Sequence, residues 1–229
     1  MAIEREIKLA MPADDAGLPP ALVDYFNACA DARAGAQQHL INRYFDTPDL
    51  RLSQNAAALR LRYVSRGAAG QWLQTLKSSG TSAGGLHVRH EWELPLTRGE
   101  LDIAALLGVC DALEIAATLR SIAAELRPLF ETNFSRRIWT LSHAGTPIEI
   151  ALDQGEIAVE HDGVRHRDPL CELELELVSQ DAAGEAALQA VAANLCRRFP
   201  GLHPDDISKA ERGYRLRQRV LNSTTDHRG

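Results

Sequence analysis

The 229-residue chain is 45% hydrophobic and carries a formal net charge of −6, enough apolar content for one domain with a substantial core and a balance that argues against a general nucleic-acid binder, which needs a basic face. No apolar run approaches ~18 residues and no basic-then-apolar leader opens the chain, so the expectation is a soluble, unexported protein without a membrane span. The four cysteines, Cys29, Cys110, Cys171 and Cys196, are scattered without zinc-ligand spacing, which suits buried thiols in a reducing cytoplasm.

Glu4-Arg5-Glu6-Ile7-Lys8 reads as the first strand. Side chains alternate along a strand, so Glu4, Glu6 and Lys8 share one face while Ile3, Ile7 and Leu9 share the other. Taken alone, the pattern favours a strand with its charged face in water; the alternative is a metal site, because neighbouring carboxylates stand roughly 7 Å apart along the strand.

Pro19 to Arg33 carries Leu22, Val23, Phe26 and Ala30 at helical spacing. His39 to Asp46 is a strand halted at Thr47-Pro48. Ala57 to Ser65 alternates Leu59, Leu61 and Tyr63 with Arg60 and Arg62, and a turn over residues 66–70 returns the chain as an antiparallel strand, Gln71 to Ser78, with Lys77 near its end. Residues 78–85, Ser-Ser-Gly-Thr-Ser-Ala-Gly-Gly, lack P-loop spacing and read as a mobile connection. Leu86 to Leu96 sets Arg89, Glu91 and Glu93 against Val88, Trp92 and Leu94; His90 interrupts the apolar face and reads as a packed or surface histidine.

Leu101 to Leu126 is helical in character with a break near Gly108 to Ala112. Pro128 opens an extended region through Arg136-Arg137, and Ile148 to His161 places Glu149 and Asp153 on one face. Asp162-Gly163 signals a type I′ hairpin, whose second strand ends in Glu172-Leu173-Glu174-Leu175-Glu176-Leu177, the cleanest period-2 pattern in the chain. Ala182 to Arg198 and Lys209 to Val220 are helical, and residues 222–229 form a polar tail after a domain spanning 1–221. Lysine is rare: only Lys8, Lys77 and Lys209 among 25 basic residues, as if those positions use a compact ammonium in place of arginine's planar fork.

About eight strands with three or four helices define an α+β chain, and closing the sheet turns the charged faces inward to make a barrel with a polar lumen. Such a lumen is tolerable only when its charges are balanced by partners, water, an ion or a ligand.

Read in order, Glu4-x-Glu6-x-Lys8, Leu59-Arg60-Leu61-Arg62, Thr75-Leu76-Lys77, Arg89-x-Glu91-x-Glu93, Ile148 to Asp153, Leu173 to Glu176, and Ser208-Lys209 before Arg212-Gly213-Tyr214 resemble the CYTH superfamily, the triphosphate tunnel metalloenzymes, over roughly residues 1–220. Tyr44 to Pro48, Gly84 to His87 and Leu152 to Glu156 look most like its bacterial inorganic triphosphatases. The resemblance implies an eight-stranded antiparallel β-barrel, the triphosphate tunnel, with helices packed outside, hydrolysing tripolyphosphate to pyrophosphate and phosphate with Mg²⁺ or Mn²⁺. Longer relatives continue into a separate helical CHAD domain. Lys8, Arg60, Arg62, Lys77, Arg89, Arg136 and Lys209 then bind phosphate oxygens, with Arg136 chosen over Arg137 by its spacing to Trp139. Glu4, Glu6, Glu91, Glu93, Asp153, Glu174 and Glu176 supply oxygen ligands for hard divalent cations. Glu4, Glu6, Lys8 and Lys77 are the catalytic set. Glu172, a third acid on the face of Glu174 and Glu176, is left out as a residue of the mouth or of solvent. Competing readings are a class IV adenylate cyclase or a thiamine or nucleoside triphosphatase of the same fold, which need a stacking surface such as Trp72 or Trp92, and a non-catalytic polyphosphate-binding module.

Overall fold

The computed structural model describes residues 2–12, 15–78, 80–179 and 181–225. In chain order the elements are β1 (Ala2–Ala10), α1 (Leu18–Ala28), β2 (Ala32–Ala34), β3 (Gln38–Asp46), α2 (Arg51–Gln54), β4 (Ala57–Arg66), β5 (Ala69–Ser78), β6 (Thr81–Ala83), β7 (Leu86–Leu96), α3 (Ile103–Val109) and α4 (Leu113–Ile122). They are followed by β8 (Arg127–His143), β9 (Thr146–His161), β10 (Val164–Leu177), α5 (Glu185–Arg198), β11 (His203–Pro204) and α6 (Lys209–Thr225). The sheet runs β1-β10-β9-β8-β3-β4-β5-β7, and β1 then pairs β7 as well, so eight antiparallel strands close on themselves. Closure removes the free edges and sorts side chains by parity into lumen and exterior.

β1 shows that sorting directly. Ile7 and Leu9, 3% and 0% exposed, face outward into a core with α1 and α5 that includes Leu22, Phe26, Leu188 and Trp139, while Glu4, Glu6 and Lys8 face inward. A second exterior core places Leu59, Leu76 and Trp92 under α2, α3 and α4, around Leu106, Leu119 and Ile122. Each helix is thus held by an apolar stripe on the barrel wall, where one leucine-sized side chain stabilises by about 1.5–3 kcal/mol.

The third core lies inside the barrel. Leu40, Tyr44, Phe130, Phe134, Ile157, Val159 and Leu170 occupy lumen-facing positions at one end, and α6 closes that end with Leu216 and Val220. Gly213 makes this approach possible, because a Cβ there would stand 2.1 Å from the Phe130 ring. The lumen is therefore only half polar, a correction to the simple alternation of charged-in and apolar-out. The reason is α6, whose apolar stripe needs an inward-facing partner.

Other differences have local causes. The first helix stops at Ala28, where Cys29 turns extended, and Ala32–Ala34 pairs β8. The expected mobile connection contains β6, which pairs β7; Gly84 and Gly85 take the positive φ of its turn (61° and 83°), and Asp206 Oδ1 accepts from Gly85 N (2.7 Å) and Ser82 Oγ (3.0 Å). The short α2 is anchored by Asp46, whose carboxylate accepts from Thr47 N, Leu52 N and Ser53 N at 2.7–3.0 Å. Asp162 and Gly163 adopt the positive φ pair of a type I′ turn (50° and 75°). α6 runs past residue 221 to Thr225, so part of the expected tail is helical, and 226–229 lie outside the described residues.

Candidate active site in the barrel lumen

A cavity of about 1630 Å³ runs through the barrel, from a mouth lined by Gln71 and Glu149 to the flank of α6 at Ser208 and Arg215. Period-2 alternation brings charged side chains from β1, β4, β5, β7, β8, β9 and β10 onto its wall, and α6 adds Lys209. All three lysines of the chain stand here.

The carboxylates form three groups. Glu4, Glu6 and Glu176 present oxygens within 4.8 Å of one another. Lys77 Nζ is 2.8 Å from Glu4 and 3.2 Å from Glu91, and Arg89 pairs with Glu4 at 2.7 Å and with Glu6. Glu176 makes no hydrogen bond or ion pair among the described residues. Burial, and then the charges of Glu4 and Glu6, push the Glu176 carboxyl up to about 8. Burial and the Glu4 charge likewise push Glu6 up to about 7, against the pull of Arg89. Burial works against ionisation of Glu4 too, but Lys77 and Arg89 outweigh it and hold Glu4 well below the usual carboxylate range. Three acids so close, one of them without an ion pair of its own among the described residues, form an oxygen-rich group that suits a hard divalent ion.

Asp153, Glu172 and Glu174 form the second group, again with oxygens within 4.8 Å. Here cations are already in place. Lys209 Nζ lies 2.8 Å from Asp153, 2.6 Å from Glu174 and in contact with Glu172, while Arg136 reaches Asp153 at 2.7 Å and Glu174 at 2.5 Å. Lys8 Nζ stands 3.8 Å from Glu172 and 3.1 Å from Asp205. The third group, Glu91 and Glu93, faces Arg60 at 3.5 and 3.7 Å, and Thr75 donates to Glu93 at 2.9 Å. The seven acids expected to hold metal are therefore divided, and Glu4, Glu6 and Glu176 share the cluster in which one carboxylate, Glu176, has no ion pair among the described residues.

Arg62 is the converse of Glu176. Its Nε donates to Asn42 Oδ1 at 2.6 Å, yet it forms no ion pair among the described residues. Burial, with Arg60 and Arg136 beside it, pulls its pKa down to about 10. A guanidinium in that condition favours an anion that the protein does not itself supply.

Several residues escaped the sequence reading. Glu172 is fully buried, not at the mouth or in solvent, because Lys209 reaches it from α6. Its parity with Glu174 and Glu176 pointed inward, but nothing in the strand pattern announced its partner. Asp205 carried no periodic signal; it sits in the link between β11 and α6, and its backbone N–H donates to Lys8 O. Asn42 and Thr75, both 0% exposed, hold Arg62 and Glu93. His87, turned inward beside Arg89, contacts Asp205 O at 3.0 Å. Of the aromatic residues considered for stacking, Trp92 is buried in the exterior core with its Nε1 donating to Asp111, and Trp72 packs on Gly99 and Tyr63.

A closed antiparallel barrel with acids and bases sorted into its lumen defines a tunnel domain with a charged interior. The chain belongs to the CYTH domain family, whose model matches residues 2–214. It is 31% identical over 176 residues to an inorganic triphosphatase from Haemophilus influenzae, a match covering 76% of this chain and 45% of that protein, so the chain spans under half of that relative's length. Among solved structures it resembles a putative adenylyl cyclase from Hippeastrum described as having a dominant triphosphatase activity (TM-score 0.59, 19% identity, 90% of this chain and 92% of that one). It also resembles a putative adenylate cyclase from Bacillus halodurans (TM-score 0.55, 20% identity, 93% and 98%). At these identities the two structures establish the fold alone. Among the described residues no helix is long and apolar enough to cross a membrane.

Proposed function

We propose that the chain is a metal-dependent inorganic triphosphatase that hydrolyses tripolyphosphate to pyrophosphate and phosphate, using Mg²⁺ or Mn²⁺. The observation that carries this reading is a pair of charges in one lumen that lack ion-pair partners among the described residues: Glu176, beside Glu4 and Glu6, and Arg62, beside Arg60 and Arg136. A metal–triphosphate complex presents the complement of both. The family membership and the Haemophilus relative agree with it.

In this reading Glu4, Glu6 and Glu176 hold the divalent ion, which when bound polarises phosphate oxygens and neutralises developing charge. Arg60, Arg62 and Arg136 bind phosphate oxygens from β4 and β8, and Lys77 and Arg89 approach from β5 and β7. Positioning in the charged lumen lowers the barrier chiefly by alignment and fixed charge. A water oxygen bonds to a terminal phosphorus, the bridging P–O bond breaks with its electrons leaving on pyrophosphate, and the water proton passes to a carboxylate of the lumen.

Lumen aromatics bear on the choice among triphosphates. Tyr44 stacks on Phe130 at 4.6 Å, Tyr214 meets Phe130 at 5.0 Å, and Phe134 lies against Arg136 and Lys209. With those rings spent on neighbours, little is left to stack on adenine or thiamine, which favours an inorganic chain over the cyclase and thiamine triphosphatase readings. The test is phosphate release from tripolyphosphate, ATP and thiamine triphosphate with Mg²⁺, Mn²⁺ or EDTA. Equal turnover with and without EDTA, or a clear preference for ATP or thiamine triphosphate, overturns it.

A further inference from the structure

Six of the seven cations expected to bind phosphate are engaged by carboxylates: Arg60 by Glu91 and Glu93, Arg89 by Glu4 and Glu6, Arg136 by Asp153 and Glu174, and Lys8, Lys77 and Lys209 by acids of their own. Arg62 is held differently. Its Nε donates at 2.6 Å to the amide oxygen of Asn42, the residue directly across from it on β3, and Asn42 Nδ2 donates in turn at 2.8 Å to Thr132 Oγ1, directly across on β8. Asn42 and Thr132 are both 0% exposed, so the chain of contacts is closed off from bulk water.

We infer, resting on the triphosphatase reading for the identity of the anion, that Asn42 is the positioning residue of the phosphate-binding wall: its amide, pinned by Thr132, aims Arg62 into the lumen through a neutral contact and keeps that guanidinium's charge for a substrate phosphate. A guanidinium carries five N–H donors and no acceptor. The atom facing Arg62 Nε must therefore be the amide oxygen, and the amide nitrogen is left for Thr132, as the structure has it. With Nε engaged, the four N–H groups on the two Nη atoms make no hydrogen bond or ion pair among the described residues, and Arg62 lines the cavity.

The surroundings explain why a neutral tether matters. Arg60 and Arg136 repel Arg62, and Glu93, the acid whose field reaches it, is itself held by Arg60 and Thr75. Without the Asn42 contact, no other side chain among the described residues fixes the guanidinium against that repulsion. An aspartate at position 42 has nearly the same shape, but a charge-assisted pair is roughly twice as strong as a neutral hydrogen bond, and each incoming phosphate would have to compete with it. The amide supplies direction without that competition.

The experiment titrates tripolyphosphate calorimetrically into the full chain in EDTA and repeats the kinetics at saturating Mg²⁺. Asn42→Asp should weaken metal-free binding by roughly ten- to a hundredfold and raise KM by a similar factor, while kcat falls by less than about threefold, the pattern of lost uniform binding. Asn42→Ala, which frees the guanidinium without neutralising it, should weaken binding about three- to tenfold in the native background and less than about twofold in Arg62→Ala. A packing defect would weaken it equally in both backgrounds. Equal affinities for the native chain and Asn42→Asp, or an Asn42→Ala loss undiminished in Arg62→Ala, overturn the inference; if Asn42→Asp does not fold, the Asn42→Ala comparison decides alone. A native chain that binds tripolyphosphate without hydrolysing it refutes the proposed function and leaves the affinities to decide this inference, whereas one that does not bind it refutes both.

Discussion

Glu176 offers the sharpest perturbation, because its carboxyl is pushed from 4.5 to about 8 by burial and by Glu4 and Glu6. A raised pKa means that the folded protein prefers the protonated acid, so the associated stability is present below pH 4.5 and is lost as the pH climbs through 8. Each pKa unit corresponds to about 1.4 kcal/mol, which sets a ceiling of about 4 kcal/mol at pH 8 for the metal-free protein. Relaxation and sharing of protons with Glu6 reduce this to about 1–3 kcal/mol. Glu176→Gln, neutral at every pH, should therefore melt later than the native chain at pH 8 in EDTA. At about 2–4 °C per kcal/mol for a chain of this size, the difference is roughly 3–10 °C, shrinking towards zero at pH 5. Saturating Mg²⁺ should reverse the order, since a bound ion stabilises the acid trio and gains less from an amide. Thermal denaturation monitored by circular dichroism across pH 5–8.5, with and without Mg²⁺, measures both effects. Parallel melting curves for the two proteins at all pH values would refute the account of Glu176 as an uncompensated acid.

The same reasoning predicts that activity on tripolyphosphate rises from pH 6 to above 8, because Glu6 at about 7 and Glu176 at about 8 must lose protons to hold the ion; a flat pH–rate profile at saturating metal would contradict it. Glu4→Gln and Glu6→Gln should fold but lose turnover by orders of magnitude, and near-native rates would return both residues to a passive role. Lys77→Ala, which frees Glu4 and Glu91 of a shared ammonium, should lower kcat/KM by roughly ten- to a hundredfold, with partial rescue by arginine; kinetics equal to native would exclude it from the site. Asp46→Asn should cost about 2–4 kcal/mol in chemical denaturation, since a fully buried carboxylate accepts three backbone N–H groups and the Tyr214 hydroxyl; a loss under 1 kcal/mol would show that α2 and α6 do not depend on it.

Strand parity is a local property, so the sequence by itself determined which side chains of β1, β4, β7 and β10 share a face, and the Asp162-Gly163 turn needed only its own backbone preference. The restriction of lysine to three positions pointed to a use for a compact ammonium at each, while their common placement in the lumen came from the fold. Tertiary structure decided how the charges are partnered. The alternation Glu172, Glu174, Glu176 is uniform in sequence, yet closure of β1 between β10 and β7 sets Glu176 beside Glu4 and Glu6, while α6 delivers Lys209 to Glu172 and Glu174. One strand thus carries both an uncompensated acid and two neutralised ones. Chain pattern fixes the direction of a side chain, but its electrostatic state depends on groups distant in sequence, as between Glu4 and Glu176 or Lys8 and Asp205, and those meet only when the barrel closes. The apolar half of the lumen has the same origin: Leu40, Phe134 and Ile157 alternate like any barrel residues, and it is the docking of α6 that gives their inward faces something to bury against.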